Sequence, residues 1–528
     1  MALRLRVLTA FLVLCPLAVI ASCSDQKNPE FTPLPPDEEG DGGTEGEDAG
    51  PTVITGSIAN GIVLGGTVIG EDGPFEGQVF IGKDGNIACA EPGDACAKLP
   101  EAEGAATALD VGVIAPGLID THNHILFDIF DNSDWTPAQF YQNHDDWPKE
   151  QKYKEMVDVK QCLEDASQGK PAWCPAKFDG TANSLRCEML KWGELKGLVA
   201  GTTSIVGLAG TSFPCFSSIA RSIDTQFNGL DGDFIQTAAI FPSKATADGA
   251  CRNFADGKTK AYLVHVGEGV DQKSRDELTK LGELTTTPGC LYAPQTVITH
   301  GTAFGATEWA LLKANGMKLV WSPASNMALY NETTDIPAAL DAGIVVALGP
   351  DWSMGGSPNM LDELRAAKKV SDTKWNGRLT AKDVVTMATK SSATVLALDD
   401  KMGTIKKGYL GDLFVVKGDR SKPYDAILAA TPKDVRITMI GGKVHYGDEE
   451  LRALAVFGNA CDEIDACGAK KFVCTAVPAS TENKLGQTFE QIQTALENAL
   501  KDVDEARAVV GDGLKFAPLT PVITCSTK

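Results

Sequence analysis

Histidine is rare in this chain: six occur in 528 residues, at positions 122, 124, 144, 265, 300 and 445. Positive charge is also short, with 48 lysines and arginines against 70 acidic residues and a formal net charge of −22. That deficit argues against nucleic acid as a partner, because phosphate binding needs clustered cations, and says little about a small-molecule substrate, the partner expected from the motifs below. Beyond Ile20 no run is long and apolar enough to span a bilayer. None of the 14 cysteines forms a C-x-x-C pair, which speaks against a cysteine zinc site.

What is present at the N-terminus points to export. Arg4 and Arg6 precede an apolar run from Val7 to Ile20, and small Ala21 and Ser22 precede Cys23. This reads as a signal peptide over residues 1–22. Its ending, Ile20-Ala-Ser-Cys23, resembles the lipobox of bacterial lipoproteins. The resemblance implies a lipid anchor on Cys23, a place in the cell envelope (periplasmic face or cell surface), and membrane contact through that anchor only. Residues 23–52 are rich in Pro, Gly, Asp and Glu. Such a segment buries too little apolar surface to fold and is expected to be an acidic tether, reaching on the order of 30 Å as a coil. Setting aside Cys15 and Cys23 leaves an even number of cysteines, expected to pair as disulfides in an oxidising compartment. Cys89 with Cys96 and Cys162 with Cys174 are near enough to be natural pairs. Cys461, Cys467, Cys474 and Cys525 are expected to staple a C-terminal extension over 451–528.

Between these ends two textures alternate. Residues 53–113 and 403–450 carry short apolar runs broken by Gly and Asn, the pattern of antiparallel strands and hairpins. Residues 114–402 instead alternate short apolar runs with longer helical stretches, the pattern of parallel βαβ units. Eight strands are predicted there: Gly117–His122, Thr202–Val206, Ile219–Ile223, Phe234–Ile240, Ala261–His265, Thr296–His300, Lys318–Trp321 and Ile344–Leu348. Eight such strands suit an α/β fold of the (β/α)8 barrel type. The insertion after the first strand holds Trp135, Tyr141 and Trp147, expected to pack the insertion itself. In the extension, Phe489, Ile492, Leu496, Ala499, Leu500 and Val503 follow a helical period behind a Thr488/Gln491 capping box.

Four of the six histidines fall at, or one step past, the C-terminal end of a predicted barrel strand, the rim where barrel enzymes keep their catalytic groups. His122 and His124 are two apart on a strand end, so both imidazoles reach one side and one ion. His265 adds a third nitrogen, and Asp351 follows the eighth strand. Three nitrogens and a carboxylate suit Zn²⁺, which brings the pKa of bound water to about 7. Glu268, between Gly267 and Gly269, is placed to shuttle a proton from attacking water to leaving group. His144, among Asn143, Asp145 and Asp146, is expected to be solvated or to cap, and His445 to be structural.

These motifs, in this order, resemble the amidohydrolase superfamily. Pro116-Gly-Leu-Ile-Asp-Thr-His122-Asn-His124 looks like its opening metal motif. His265-x-x-Glu268, Thr299-His300-Gly-Thr302, Ser322-Pro-Ala-Ser-Asn-Met327 and Leu348-Gly-Pro-Asp351 look like its later barrel motifs. The most similar branch contains cytosine, guanine and thioadenosine deaminases and triazine hydrolases. Gly403-Thr-Ile-Lys-Lys-Gly408 and Gly411-Asp-Leu-Phe-Val-Val416 are similar to the family's composite β-sandwich, built from both flanks of the barrel. The resemblance implies a metal-dependent hydrolase of carbon–nitrogen bonds other than peptides, deaminating a cyclic amidine or cleaving an amide. His122, His124, His265 and Asp351 would hold one divalent ion, zinc or iron. Glu268 would be the proton shuttle, and His300 would orient or polarise the substrate. Asp351 would also take a proton from the metal-bound water. Trp321, Asn326 and Trp352 would lie near the substrate. Trp321-Ser-Pro stands where the deaminases often have His-Cys-Pro, and Pro350-Asp351-Trp352 where they often have Thr-Asp-Gly, which implies a more aromatic pocket. The fourth strand offers no lysine to bridge two metals, and Lys244 comes too late. A binuclear amidase or dipeptidase, and a non-catalytic surface binding protein, are the alternatives.

Overall fold

The structure is a computed structural model that describes residues 52–165, 169–180, 182–207, 219–224, 230, 234–238, 240–480, 484–510 and 514–525. The signal peptide, Cys23 and all of the tether but Thr52 lie outside these residues. Among the described residues no helix is long and apolar enough to cross a membrane.

All eight barrel strands form where the apolar runs predict them, at Leu118–Asp120, Thr202–Ile205, Arg221–Ser222, Ile235–Ala238, Ala261–Val266, Thr296–His300, Lys318–Trp321 and Val346–Leu348. They pair in parallel within two sheets, a three-stranded one of strands one to three and a five-stranded one of strands four to eight. A parallel bridge from Asn123 to Asp351 ties the first strand to the last. The other seam differs from a closed barrel: no ladder between strands three and four is found among the described residues. The third strand is two residues long and has little backbone to offer. Thr237 donates its hydroxyl to Asp224 across this seam at 3.2 Å.

Side chains alternate as strands require. Ile119, Leu263, Val297, Val320 and Ala347 belong to one buried cluster inside the ring. Their neighbours Leu118, Val264, Ile298, Leu319 and Leu348 pack outward with the helices.

Both flanks enter one eleven-stranded sheet, joined where Val113–Pro116 pairs antiparallel with Leu413–Val416. The strands Asp462–Ala466 and Ala469–Val473, expected in a separate extension, also join this sheet through Lys443–Asp448. The capping box forms in both directions, Thr488 N to Gln491 Oε1 at 3.0 Å and Gln491 N to Thr488 Oγ1 at 3.2 Å. It opens the helix Phe489–Val510, whose apolar face is buried and whose Phe489 stacks on Trp192. Disulfides join Cys89 to Cys96, Cys162 to Cys174, Cys461 to Cys474 and Cys467 to Cys525. Cys251 also pairs with Cys290, and Cys187 is disulfide-bonded.

The insertion folds back over the barrel rim. Val270 N donates to Gln142 O at 2.7 Å, and the Asn143 amide donates to Asp271 at 2.7 Å. Glu150 gathers the insertion around itself, accepting from Trp135 Nε1 and Ala138 N at 2.9 Å each and from the Tyr141 hydroxyl.

At the seam of first and eighth strands only a glycine fits. A Cβ on Gly349 would lie 2.6 Å from His122 N and 2.9 Å from its carbonyl oxygen. Gly349→Ala is therefore expected to push the two strands apart at a cost of about 1–3 kcal/mol. A lowered melting temperature together with weaker metal retention checks this; unchanged values of both would contradict it.

Candidate metal centre

The strand ends bring four imidazoles and one carboxylate into a single cluster. Ring centroids of His122 lie 5.0, 4.7 and 5.2 Å from those of His124, His265 and His300. Asp351 Oδ1 is 3.0 Å from His122 Nε2 and 3.4 Å from His124 Nε2. The donor atoms of His122, His124 and His265 lie within 4.8 Å of one another, and so do those of His122, His300 and Asp351.

His265 tests whether the cluster suits a cation. Its Nδ1 is 2.9 Å from the Ala238 carbonyl, which obliges that nitrogen to carry the proton and donate. Its buried Nε2 then presents a lone pair with no hydrogen-bond partner. A lone pair left bare among two further imidazoles and a carboxylate fits a divalent metal of zinc-like preference.

Two members stand on unusual backbone. His300 has φ +73° and Asp351 φ +70°, the left-handed region that costs a non-glycine residue on the order of 1 kcal/mol or more. Strict alternation would send His300 outward with Ile298; the left-handed turn brings its ring into the rim instead. Thr334 holds the His300 carbonyl at 2.7 Å. The Asn326 amide nitrogen lies 3.2 Å from His300 Nδ1 while its Oδ1 faces the Thr333 and Thr334 hydroxyls. Asn326 therefore donates to Nδ1, and Nε2 of His300 is left carrying a proton.

Glu268 is buried beside this cluster, on a loop where Gly267 and Gly269 take φ +75° and +143°. Its Oε1 accepts from the Tyr330 hydroxyl at 2.7 Å, and its Oε2 lies 3.9 Å from His300 Nε2. Burial pushes its carboxyl up to about 7, against the pull of His144.

Trp321, Asn326 and Trp352, expected near the substrate, take three different places. Trp321 is fully buried on the outer side of its strand, donating Nε1 to Thr333 at 2.7 Å and lying against Trp375. The period of two that points Val320 inward turns Trp321 outward, toward the helices. Asn326 is fully buried and touches His300 rather than open space. Trp352 lies 5.7 Å from the His124 ring but packs with Phe127, Trp135 and Trp147, as part of the insertion's own core. The open cavity of about 160 Å³ is lined instead by Leu126, Phe127, Lys160, Asp224, Thr237 and Leu263, beside the imidazoles. His445 is buried in the sheet against Cys474, as its position suggests. His144 is not solvated: it faces Glu268, which no local pattern announces.

Burial holds the His124 imidazole down at about 4 and the His300 imidazole down at about 3, with Asp351 opposing both shifts. Between those values and the unfolded value of about 6.5, the unfolded chain binds more protons than the folded one. These two imidazoles therefore lower the stability of the metal-free chain as pH drops through that window, while the raised carboxyls of Glu268 and Glu363 act in the opposite sense. In a ring-carbon NMR titration of the metal-free chain the His124 and His300 signals are expected to stay unshifted from pH 8 down to about 6, and titration of either near 6.5 would contradict the buried neutral imidazoles.

Residues 232–445 match the amidohydrolase family. A 5-methylthioadenosine/S-adenosylhomocysteine deaminase from Thermococcus onnurineus is 25% identical over 371 residues, covering 64% of this chain and 84% of the relative. Among solved structures, the atrazine chlorohydrolase of Arthrobacter aurescens complexed with zinc is similar with a TM-score of 0.54 at 16% identity, over 72% of this chain and 94% of that one. An adenosine deaminase from Xanthomonas campestris with bound zinc is similar with a TM-score of 0.51 at 16% identity, over 85% and 98%. These structural likenesses carry the fold, a TIM-barrel-like α/β architecture. The family match over residues 232–445 and the deaminase relatives mark the chain as a hydrolase similar to the amidohydrolase family.

Proposed function

We propose that this protein deaminates an amino-substituted nitrogen heterocycle, a cyclic amidine such as the adenine ring of a thioadenosine, using one divalent ion. The observation that carries the reading is Glu268. Its buried carboxyl is held by Tyr330 at 2.7 Å and stands next to the imidazole cluster. A binding protein has no use for an acid–base group so held.

His122, His124, His265 and Asp351 would hold the ion, zinc before iron. When bound it would supply activation of water and polarisation of the carbon under attack. Glu268, near neutrality in its buried site, takes a proton from water as the carbon–oxygen bond forms and returns it to the departing nitrogen. His300 offers its Nε2 proton to a substrate ring nitrogen, stabilising charge that develops there. Amide cleavage would use the same groups; the deaminase names of the relatives favour the amidine.

No observation favours two metals. The fourth strand has no lysine, and Lys244 opens an exposed helix where it donates to Thr286 at 2.9 Å. We read the chain as an exported lipoprotein anchored through Cys23, with a composite β-sandwich of 53–113 and 403–450 beside the barrel. The shared sheet supports that composite reading.

The test is metal content and ammonia release by the full chain loaded with zinc or iron, with 5-methylthioadenosine and S-adenosylhomocysteine as first probes. One ion per chain is expected, lost in His122→Ala. Glu268→Gln is expected to keep the ion and lose about 10²–10⁴-fold in kcat. Full turnover in that variant, or no metal uptake on reloading, would overturn the proposal.

A further inference from the structure

The insertion delivers one titratable group to the acid–base residue. His144 Nδ1 lies 3.6 Å from Glu268 Oε2, and His144 Nε2 lies 2.7 Å from Glu277 Oε1. Glu277 is itself anchored, its Oε2 accepting from Gly267 N at 2.8 Å. The main chain doubles the attachment, with His144 N donating to Glu268 O at 3.3 Å and a bridge between Asn143 and Gly269. The imidazole is thus wedged between two carboxylates, with 16% of its side chain exposed.

We infer that His144, clamped by Glu277, is a positioning residue that holds the Glu268 carboxylate from the side opposite Tyr330 and keeps it ionised for proton uptake. The inference rests on Glu268 being the acid–base group. At 3.6 Å the contact is a charge contact, longer than a hydrogen bond. An imidazolium there favours the carboxylate form and so opposes the burial that would leave Glu268 protonated. Other titratable groups facing the pair are Asp145, itself paired with Lys273, on the insertion side, and Asp351, His122 and His300 on the barrel side. Burial lowers the His144 proton affinity, but Glu277 and Glu268 outweigh it and raise its pKa to about 9. The imidazole is then charged across the neutral range.

The wedge ties reactivity to assembly. Trp147, three residues on, donates Nε1 to the Tyr330 hydroxyl at 3.1 Å, so one short segment faces one Glu268 oxygen and holds the partner of the other. Glu268 reaches its working environment only when the insertion is docked.

The test is a ring-carbon NMR titration of the zinc-loaded full chain carrying labelled histidine, with His144→Asn assigning the signal. His144 is expected to titrate near pH 9, well above 6.5, and to move down in both Glu277→Gln and Glu268→Gln. Titration near 6.5 in the unaltered chain, or a signal indifferent to Glu268→Gln, would overturn the inference whatever the substrate proves to be. If the chain turns over a probe, the acidic limb of kcat/KM is expected to rise by about 1–3 pH units in His144→Asn. His144→Lys, which restores the charge, should bring it back. A limb that stays in place, with activity lost equally at every pH, would mark His144 as structural. Should His144→Asn fail to fold, Glu277→Gln gives the same limb shift in smaller measure and decides the matter.

Discussion

The arrangement turns on Asp351. Its backbone N–H donates to His122 O at 3.0 Å, and its carbonyl accepts from His124 N at 2.6 Å. Its carboxylate meanwhile faces both of those imidazoles. One residue therefore joins the first and last barrel strands and faces the imidazole cluster in the same contact. The left-handed φ of +70° is what allows main chain and side chain to serve both ends at once. Gly349 makes the approach possible by having no Cβ to put against His122. The architecture and the chemistry are thus fixed at a single seam, and a change that loosens one loosens the other.

A second layer of control comes from polar groups that touch no substrate. Ala238 sets the tautomer of His265 through its carbonyl, and Asn326 sets that of His300 through its amide. The two histidines are consequently prepared for opposite tasks, one with a bare Nε2 to offer a cation and one with a proton to offer a ligand. Two identical side chains 5.1 Å apart acquire different chemistry from what lies behind them.

The eight strands were legible because each is a short apolar run bounded by turn residues, and the imidazole cluster was legible because it lies at strand ends. The 488–503 helix announced itself by period and capping box. Orientation was harder. Trp321 adjoins a motif and so reads as a pocket residue, yet the period of two that governs its strand turns it outward. His300 is the reverse case, since alternation points it outward and a left-handed turn, invisible to pattern, brings it in. The role of His144 was not legible at all. It depends on contacts with Glu268 and Glu277 more than a hundred positions away, made only once the insertion has docked. Cys251 with Cys290 is hidden for a similar reason, because helix and loop must meet before that pair exists.

The cost of this site explains its surroundings. Asp120 and Asp128 are buried below the imidazoles, and burial raises both carboxyl pKa values. Burial likewise pushes Glu363 up to about 8. Part of the load is answered locally: Ser353 donates to Asp128 at 2.6 Å and receives a bond from the buried Lys196 ammonium at 3.1 Å. Asp120 is held by His122 N at 3.1 Å and the Asn123 amide at 2.8 Å. The bare lone pair of His265 is not answered by any protein group. A divalent cation would meet that lone pair and the Asp351 carboxylate together, so its binding energy becomes folding energy. The disulfides, the docked insertion and the C-terminal helix packed on Trp192 stabilise the chain where no such ion can reach. A fold braced in this way around its rim can keep an uncompensated, strained centre ready for the ion that completes it.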